Sequence, residues 1–307
     1  GGAWAFGWGP QDDRDSIAAI HRALDAGVGW IDTAAAYGLG HSEEVVARAL
    51  EGVAARPLVF TKCGMVWHDR PDRVPRANLR PEWIRRECED SLGRLRVEAL
   101  DLLQFHWPDR NTGTPIEESW GAMADLVREG KVRHAGVSNF DRDLLERCEP
   151  ILHVDSLQPP LNAIQRDAAD LLPWCEANGT GVIVYSPMMS GLLTGRFTAE
   201  RVERLDAGDW RRGFREFREP RLSENLALQD ALRPVAERHG VSVGAVAVAW
   251  ALAWPGVSGA IVGARDPGQV EGWLPAAELA LTPEDLDEIA AAIERTGAGQ
   301  GPARPAG

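Results

Sequence analysis

Four polar side chains stand at or just beyond the ends of apolar runs. Asp32 closes "VGWID", Lys62 follows "LVFT", His106 closes "DLLQFH", and Tyr37 comes five residues after Asp32 in "WIDTAAAYGLG". Two of these types are scarce. The chain holds two tyrosines, Tyr37 and Tyr185, and two lysines, Lys62 and Lys131, against 33 cationic residues in all. Lys131 lies in the polar turn "REGKVR", where a solvated charge explains it. Lys62 differs: an ammonium after an apolar strand is costly unless paired. A compact group with three donors and a shiftable pKa also suits proton chemistry better than a guanidinium does. Amide and hydroxyl groups join the set, because Ser138 and Asn139 follow "HAGV" and Gln158 ends "VDSLQ".

Elements that alternate along the chain must position these residues. "DDRDSIAAIHRALDAG" opens on capping acids and ends on Gly27, as an amphipathic helix does. "SEEVVARALEG" reads as a helix with Ser42 as N-cap, and "PEWIRRECEDSLGRL" as one with Pro81 in its first turn. "PIEESWGAMADLVREG" and "AADLLPWCEANG" are further helical segments, and "VSVGAVAVAWALAW" is a buried helix too short to span a bilayer. Between them "VGWID", "PLVFTKC", "DLLQFH", "VRHAGVSNF", "VDSLQ", "TGVIVYS" and "GAIVG" read as seven buried strands, with "GGAW" as an eighth.

Near-continuous apolar strands alternating with helices predict a parallel sheet covered on both faces, and eight units predict a single closed (β/α)8 TIM barrel over residues 1–296. A doubly wound sheet is the competitor. No strand is followed by GxGxxG or GxxxxGK[ST], so the barrel is preferred. In a parallel barrel the C-terminal strand ends converge on one face, where this fold carries its active site. The remaining "GAGQGPARPAG", residues 297–307, reads as a flexible tail.

Composition narrows the partners. A net charge of −13 disfavours nucleic acid and anionic membrane surfaces, leaving small molecules. Cys63, Cys88, Cys148 and Cys175 are far apart with no CxxC pair, which predicts reduced thiols, no zinc site and a cytoplasmic setting. The oligomeric state stays open. The opening "GGAW" has no initiator methionine and no secretory pattern, so a trimmed start is expected.

The ordered set "WIDTAAAYGLGHSE", "FTKCG", "DLLQFHWPD", "GKVRHAGVSNF", "LQPPLN", "YSPMMSGLLTG" and "IVGARDPGQVE" resembles the aldo-keto reductase family along almost the whole chain. It is most similar to bacterial members related to potassium-channel β-subunits. The resemblance implies a (β/α)8 barrel and NADPH-dependent carbonyl reduction without a metal. Carried over by position, it implies a catalytic tetrad of Asp32, Tyr37, Lys62 and His106. Tyr37 would protonate the carbonyl oxygen as hydride arrives, Lys62 would favour the phenolate, Asp32 would hold Lys62, and His106 would orient the carbonyl.

The same resemblance implies the NADP(H) contacts. Ser138, Asn139 and Gln158 would bind the carboxamide, and Tyr185 would stack on the nicotinamide. Ser186, Pro187, Met188, Gly191, Leu192 and Arg196 would follow the pyrophosphate; Gly263, Ala264, Arg265 and Gln269 would hold the adenosine 2'-phosphate. Ala3, Trp4 and Asp32 complete the cofactor set, and Trp4, Trp67 and Trp107 would line the pocket for a small carbonyl substrate. Gly272 and Trp273 stand where many members carry Glu-Asn, so the usual adenine contact is missing. An intact tetrad weighs against a non-catalytic NADP-binding regulatory subunit; an aldose or sugar dehydrogenase running oxidatively is the enzymatic alternative.

Overall fold

The structure is a computed structural model that describes residues 11–68 and 71–305. They fall into two compact units, Gly1–Gln158 and Pro159–Gly307, each taken by itself. The expected "GGAW" strand, with Ala3 and Trp4, lies outside the described residues.

In the first unit the order is α1 (Asp13–Asp25), β1 (Trp30–Asp32), α2 (His41–Ala49), β2 (Leu58–Cys63), β3 (Met65–Val66), β4 (Arg76–Ala77), α3 (Pro81–Leu95), β5 (Leu100–Phe105), α4 (Ile116–Arg128), β6 (Val132–Ser138), α5 (Arg142–Cys148) and β7 (Ser156–Gln158). Strands β1, β2, β5, β6 and β7 pair in that order, all parallel, each joined to the next through a helix. The register sets Asp32 beside Phe60, Lys62 beside Gln104 and Ser138 beside Gln158, so the C-terminal ends of the five strands form one edge. Leu103, Phe105, Val137, Leu157 and Trp120 are buried in this unit's core.

Local chemistry explains the element ends. The Asp12 carboxylate accepts from the Arg14 amide at the start of α1, Gly27 takes φ +89 beyond its end, and Pro81 occupies the first turn of α3. Ser42 does not cap α2. That helix starts at His41, two residues earlier than a Ser42 cap would allow, behind Gly40 at φ +99, and the Ser42 hydroxyl instead meets the Thr33 hydroxyl at 2.8 Å. The short antiparallel hairpin β3–β4 was not foreseen, since two-residue strands are too brief to show a period.

In the second unit the order is α6 (Leu172–Asn178), β8 (Gly181–Tyr185), α7 (Ala199–Glu203), α8 (Arg221–Ala231), α9 (Arg233–His239), α10 (Val243–Leu252), β9 (Val257–Ile261), α11 (Pro267–Trp273) and α12 (Pro283–Thr296). Strands β8 and β9 are parallel. The apolar "VSVGAVAVAWALAW" does fold as a buried helix, α10, whose Ala245, Val248 and Ala249 pack with Ala276, Met188 and Trp273. All seven strands expected among the described residues are present.

The Gly- and Pro-rich end is pinned rather than loose as far as it is described. Gln300 bridges to Gln165, the buried Arg166 guanidinium donates to the carbonyls of Ala298 and Gly301 at 3.2 and 3.3 Å, and Arg304 pairs with Asp287 at 2.5 Å. Composition signalled looseness, but these contacts are tertiary. Gly299, at φ +67, lies so close to this anchor that a Cβ would come within 1.8 Å of the Ile164 carbonyl oxygen. Gly299→Ala is therefore expected to cost about 1–3 kcal/mol of stability, seen as a lowered Tm. An unchanged melting curve would mean that the end is free after all.

Candidate active site

Alternation along β2 turns Lys62 to one face of the sheet and Thr61 and Cys63 to the other. Lys62 is 1% exposed, and its ammonium forms an ion pair with Asp32 Oδ1 and donates to the Thr33 carbonyl at 3.0 Å. The second Asp32 oxygen, Oδ2, accepts from Gln158 Nε2 at 3.0 Å. Burial works against the Lys62 charge, but Asp32 and Tyr37 outweigh it and the net push on its pKa is upward. Lys62 stays an ammonium at neutral pH.

Tyr37 enters on the turn after β1, where its amide donates to the Ala34 carbonyl at 3.0 Å and Ala35 N donates to the Lys62 carbonyl at 3.3 Å. The Lys62 ammonium lies 5.6 Å from the Tyr37 ring centroid, and the Tyr37 and His106 rings meet edge to face at 5.5 Å. Crowding by the protein raises the Tyr37 pKa, the Lys62 charge lowers it and the Asp32 carboxylate raises it; the net direction is upward. Lys62 thus acts in the anticipated sense without prevailing. Because Tyr37 is 39% exposed, water softens that upward push. The phenol is protonated at neutral pH.

His106 follows β5 and is held by its main chain, N–H to the Cys63 carbonyl at 2.9 Å and C=O from Asn139 Nδ2 at 3.0 Å. Burial first, then the Lys62 charge, keeps its imidazole well below the usual histidine range. It is neutral at neutral pH, and its Nδ1 is buried with no hydrogen-bond partner among the described residues. The amides beside it form a chain of their own. Asn139 Nδ2 also donates to Ser138 Oγ at 3.0 Å, Ser138 Oγ donates to the Gln158 carbonyl at 2.8 Å, and Asn139 adopts φ +64, which asparagine tolerates better than most residues. Asp32, Tyr37, Lys62, His106, Ser138, Asn139 and Gln158 therefore lie along one edge of the first unit.

The tryptophans separate. Trp107 is exposed at the edge, whereas Trp67 is buried and packs on Ala35 and Ala36, beneath the turn that carries Tyr37. Thr33, whose carbonyl accepts a hydrogen bond from the Lys62 ammonium, escaped sequence reasoning because main-chain acceptors leave no mark in residue type.

In the second unit Tyr185 ends β8, and its amide and carbonyl pair with the Pro159 carbonyl and the Leu161 amide at 3.0 and 3.3 Å. Beyond it the chain turns tightly: Ser186, Met189 and Ser190 all take positive φ, at 55, 45 and 53°. Such conformations cost about 1–2 kcal/mol each, so the turn needs support. Asn162, within the "LQPPLN" motif, supplies it by donating to the Ser186 carbonyl at 3.0 Å. Pro187 and Leu192 are buried, while Met188 and Gly191 are half-buried and Arg196 is exposed. Gly263 and Arg265 are exposed after β9, with Ala264 half-buried between them. The Arg265 amide donates to Gln269 Oε1 at 3.1 Å, and Asp266 caps α11 and accepts from Gln269 Nε2 at 2.8 Å. Asp209, bidentate with Arg211, is near enough to feel the Arg265 charge. Trp273 fills space against α10, and the Gly272 carbonyl accepts from Ser242 Oγ at 2.5 Å, so packing occupies the positions that depart from the usual Glu-Asn.

Among the described residues no helix is long and apolar enough to cross a membrane, and no group of three or more His, Cys, Asp or Glu could hold a metal ion. All four cysteines are buried and free.

Parallel strands alternating with helices, with ionisable groups at their C-terminal ends, define an enzyme-like (β/α)8 site. A model described as "Aldo/keto reductase family" matches residues 1–294, and the chain belongs to that family. It is 37% identical over 302 residues to the aldo-keto reductase YhdN of Bacillus subtilis (strain 168), covering 96% of this chain and 89% of the relative. It is 33% identical over 312 residues to an NADH-specific methylglyoxal reductase of Escherichia coli (strain K12), covering 96% and 94%. A solved structure, a glycerol dehydrogenase from Gluconobacter oxydans, superposes with a TM-score of 0.87 at 38% identity, covering 96% of this chain and 89% of that one. The fold class is the (β/α)8 barrel, and the family makes the chain an oxidoreductase that uses a nicotinamide cofactor.

Proposed function

We propose that this protein reduces the carbonyl of a small aldehyde, ketone or sugar to an alcohol with NADPH, with Tyr37 as proton donor. The observation that carries the reading is the buried Lys62–Asp32 pair set beside Tyr37 and His106. When bound, the reduced nicotinamide supplies hydride to the carbonyl carbon. Negative charge then grows on the oxygen, and Tyr37 Oη, protonated at neutral pH, gives its proton to that oxygen, leaving a phenolate that solvent reprotonates. Lys62 stabilises the phenolate while it lasts, and Asp32 keeps Lys62 charged and in place. His106, neutral, donates a hydrogen bond that orients the carbonyl without competing for the proton.

The residues present suit the cofactor. Ser138, Asn139 and Gln158 are ordered by mutual hydrogen bonds and would fix a carboxamide, and the tight turn at Ser186–Gly191, with its run of positive φ, is of the kind that approaches a pyrophosphate. Run in reverse, the same groups oxidise an alcohol. The upward push on Tyr37 favours the protonated form that reduction needs. Four free, buried thiols suit a reducing compartment such as the cytoplasm.

Arg265 supports NADPH over NADH, since a guanidinium pairs with a 2'-phosphate that NADH lacks. Fluorescence titration is expected to show NADPH binding about 10- to 100-fold more tightly, the scale of one charge-assisted hydrogen bond. Arg265→Ala should close most of that gap. Equal affinities in the parent would remove the NADPH assignment, and an NADPH preference that survives the substitution would remove Arg265 as its cause. Carbonyl reduction is tested by NADPH consumption against a panel of aldehydes, ketones and sugars; turnover of none of them would remove the proposal.

A further inference from the structure

A buried carboxyl outside the site has an unexplained place. Glu87 of α3 is 1% exposed, its Oε2 accepts from the Gly64 amide at 2.6 Å, and its Oε1 has no hydrogen-bond partner among the described residues. The nearby buried acid, Glu43 of α2, is fully engaged: Oε1 accepts from Thr61 Oγ1 at 2.5 Å and Oε2 from Arg94 Nε at 2.6 Å. Arg94 is thereby committed to Glu43, and Glu87 has no ion pair among the described residues. A charged or polar group this deep needs a reason, because burial without full pairing is costly.

Gly64 supplies the reason. It follows β2 at φ +86, and a Cβ there would lie 2.3 Å from Leu79 Cδ2, so the chain must pass here without a side chain. Its carbonyl accepts from the Asn78 amide at 3.0 Å, closing the base of the β3–β4 hairpin, while its amide has turned away from the sheet toward Glu87. One residue earlier, the Cys63 carbonyl holds the His106 amide at 2.9 Å, and one before that is Lys62. The single peptide unit between Cys63 and Gly64 thus carries both bonds, its carbonyl to the His106 amide and its N–H to Glu87, with Lys62 one residue before it.

We propose that Glu87 is a positioning residue for Lys62 and His106, fixing the end of β2 through the Gly64 amide. The inference rests on reading those two side chains as members of the reacting set. Geometry carries it: the bond meets an amide that the sheet has left unpaired, at the point where β2 gives way to the hairpin. Protonation does not undo the contact, since a carboxyl oxygen accepts in either state. Burial raises the Glu87 pKa to about 8; the Gly64 amide and Arg94 oppose that rise, and Glu43 and Asp90 add to it. The Cys63 thiol on β2, itself pushed well up by burial and by Glu87, also faces the carboxyl.

The test compares the parent with Glu87→Gln and Glu87→Leu. It reads kcat and KM for carbonyl reduction at neutral pH, NADPH affinity by fluorescence, and the Gly64 amide signal by ¹⁵N NMR across pH 6–10, a range of about two units either side of the shifted titration. The glutamine keeps an acceptor and should hold kcat within about threefold, whereas the leucine, of similar bulk, leaves the amide unpaired and should lower kcat about tenfold or more with NADPH affinity unchanged. In the parent the Gly64 amide proton should move downfield as the carboxyl ionises near pH 8, and in Glu87→Gln it should not move. Parental kcat in the leucine variant, a glutamine variant as impaired as the leucine, or a Gly64 signal indifferent to pH would each overturn the assignment. Should Glu87→Leu fail to fold, the glutamine variant and the amide titration decide. If the parent reduces no carbonyl, the proposed reaction fails, while the amide titration still reports on the bond itself.

Discussion

Tyr37→Phe is expected to lower kcat about 10²-fold or more, the usual scale for a positioned acid, while NADPH affinity and Tm stay close to parental values. Only Oη is lost. The contacts that place the residue do not use it: the amide of Tyr37 bonds the Ala34 carbonyl, Ala35 and Ala36 pack on Trp67, and the ring meets His106 through its edge. Phenylalanine keeps every one of these. The lost hydroxyl is the group that gives a proton to the developing alkoxide, so binding and chemistry should separate, with KM for the carbonyl changing far less than kcat. Stopped-flow measurement of the hydride-transfer step is the sharper readout, since steady-state turnover can be limited by cofactor release. Reduction of a good substrate at the parental rate would show that the proton comes from elsewhere.

Much of the site was legible because parallel strands buried on both faces are short apolar runs, and a polar residue at the end of such a run stands out. Asp32, Lys62, His106, Ser138 and Gln158 could be read as neighbours in space before any coordinates, because strand direction alone brings their ends together. What escaped was of another kind. Glu87 sits in "RRECEDSLGRL", a helix crowded with charge, where one buried acid looks like any solvated one. Ser42 looked like a cap by type, yet capping depends on backbone angles, and Gly40 had already turned the chain. The residues after Gly297 looked loose by composition, although Arg166, more than 130 positions away in sequence, holds the Ala298 and Gly301 carbonyls. The Glu87 and C-terminal cases turn on contacts between distant segments, which a local window does not contain, and the Ser42 case on a backbone angle that residue type does not declare.

Lys62→Met should slow turnover on a scale similar to Tyr37→Phe, and the double variant should be little slower than the slower single one. Lys62 touches the reaction through the phenol. Its ammonium stands 5.6 Å from the Tyr37 ring centroid, and its charge is the one influence pulling the Tyr37 pKa down against burial and Asp32. With no hydroxyl at position 37 there is no phenolate to stabilise, so removing the ammonium as well costs little more in rate. Stability responds differently. Methionine leaves the Asp32 carboxylate buried with Gln158 as its remaining named donor, and breaking a buried pair this way typically costs about 3–5 kcal/mol. Lys62→Met should therefore melt well below Tyr37→Phe, and adding Asp32→Asn should recover part of the loss by removing the unpaired charge. Rates must then be compared at a temperature where all variants are folded, with NADPH titration confirming an intact site. If the double variant shows the product of two large independent losses, Lys62 acts on the substrate or cofactor directly rather than through Tyr37, and the proton relay is wrong even with the barrel and the cofactor unchanged.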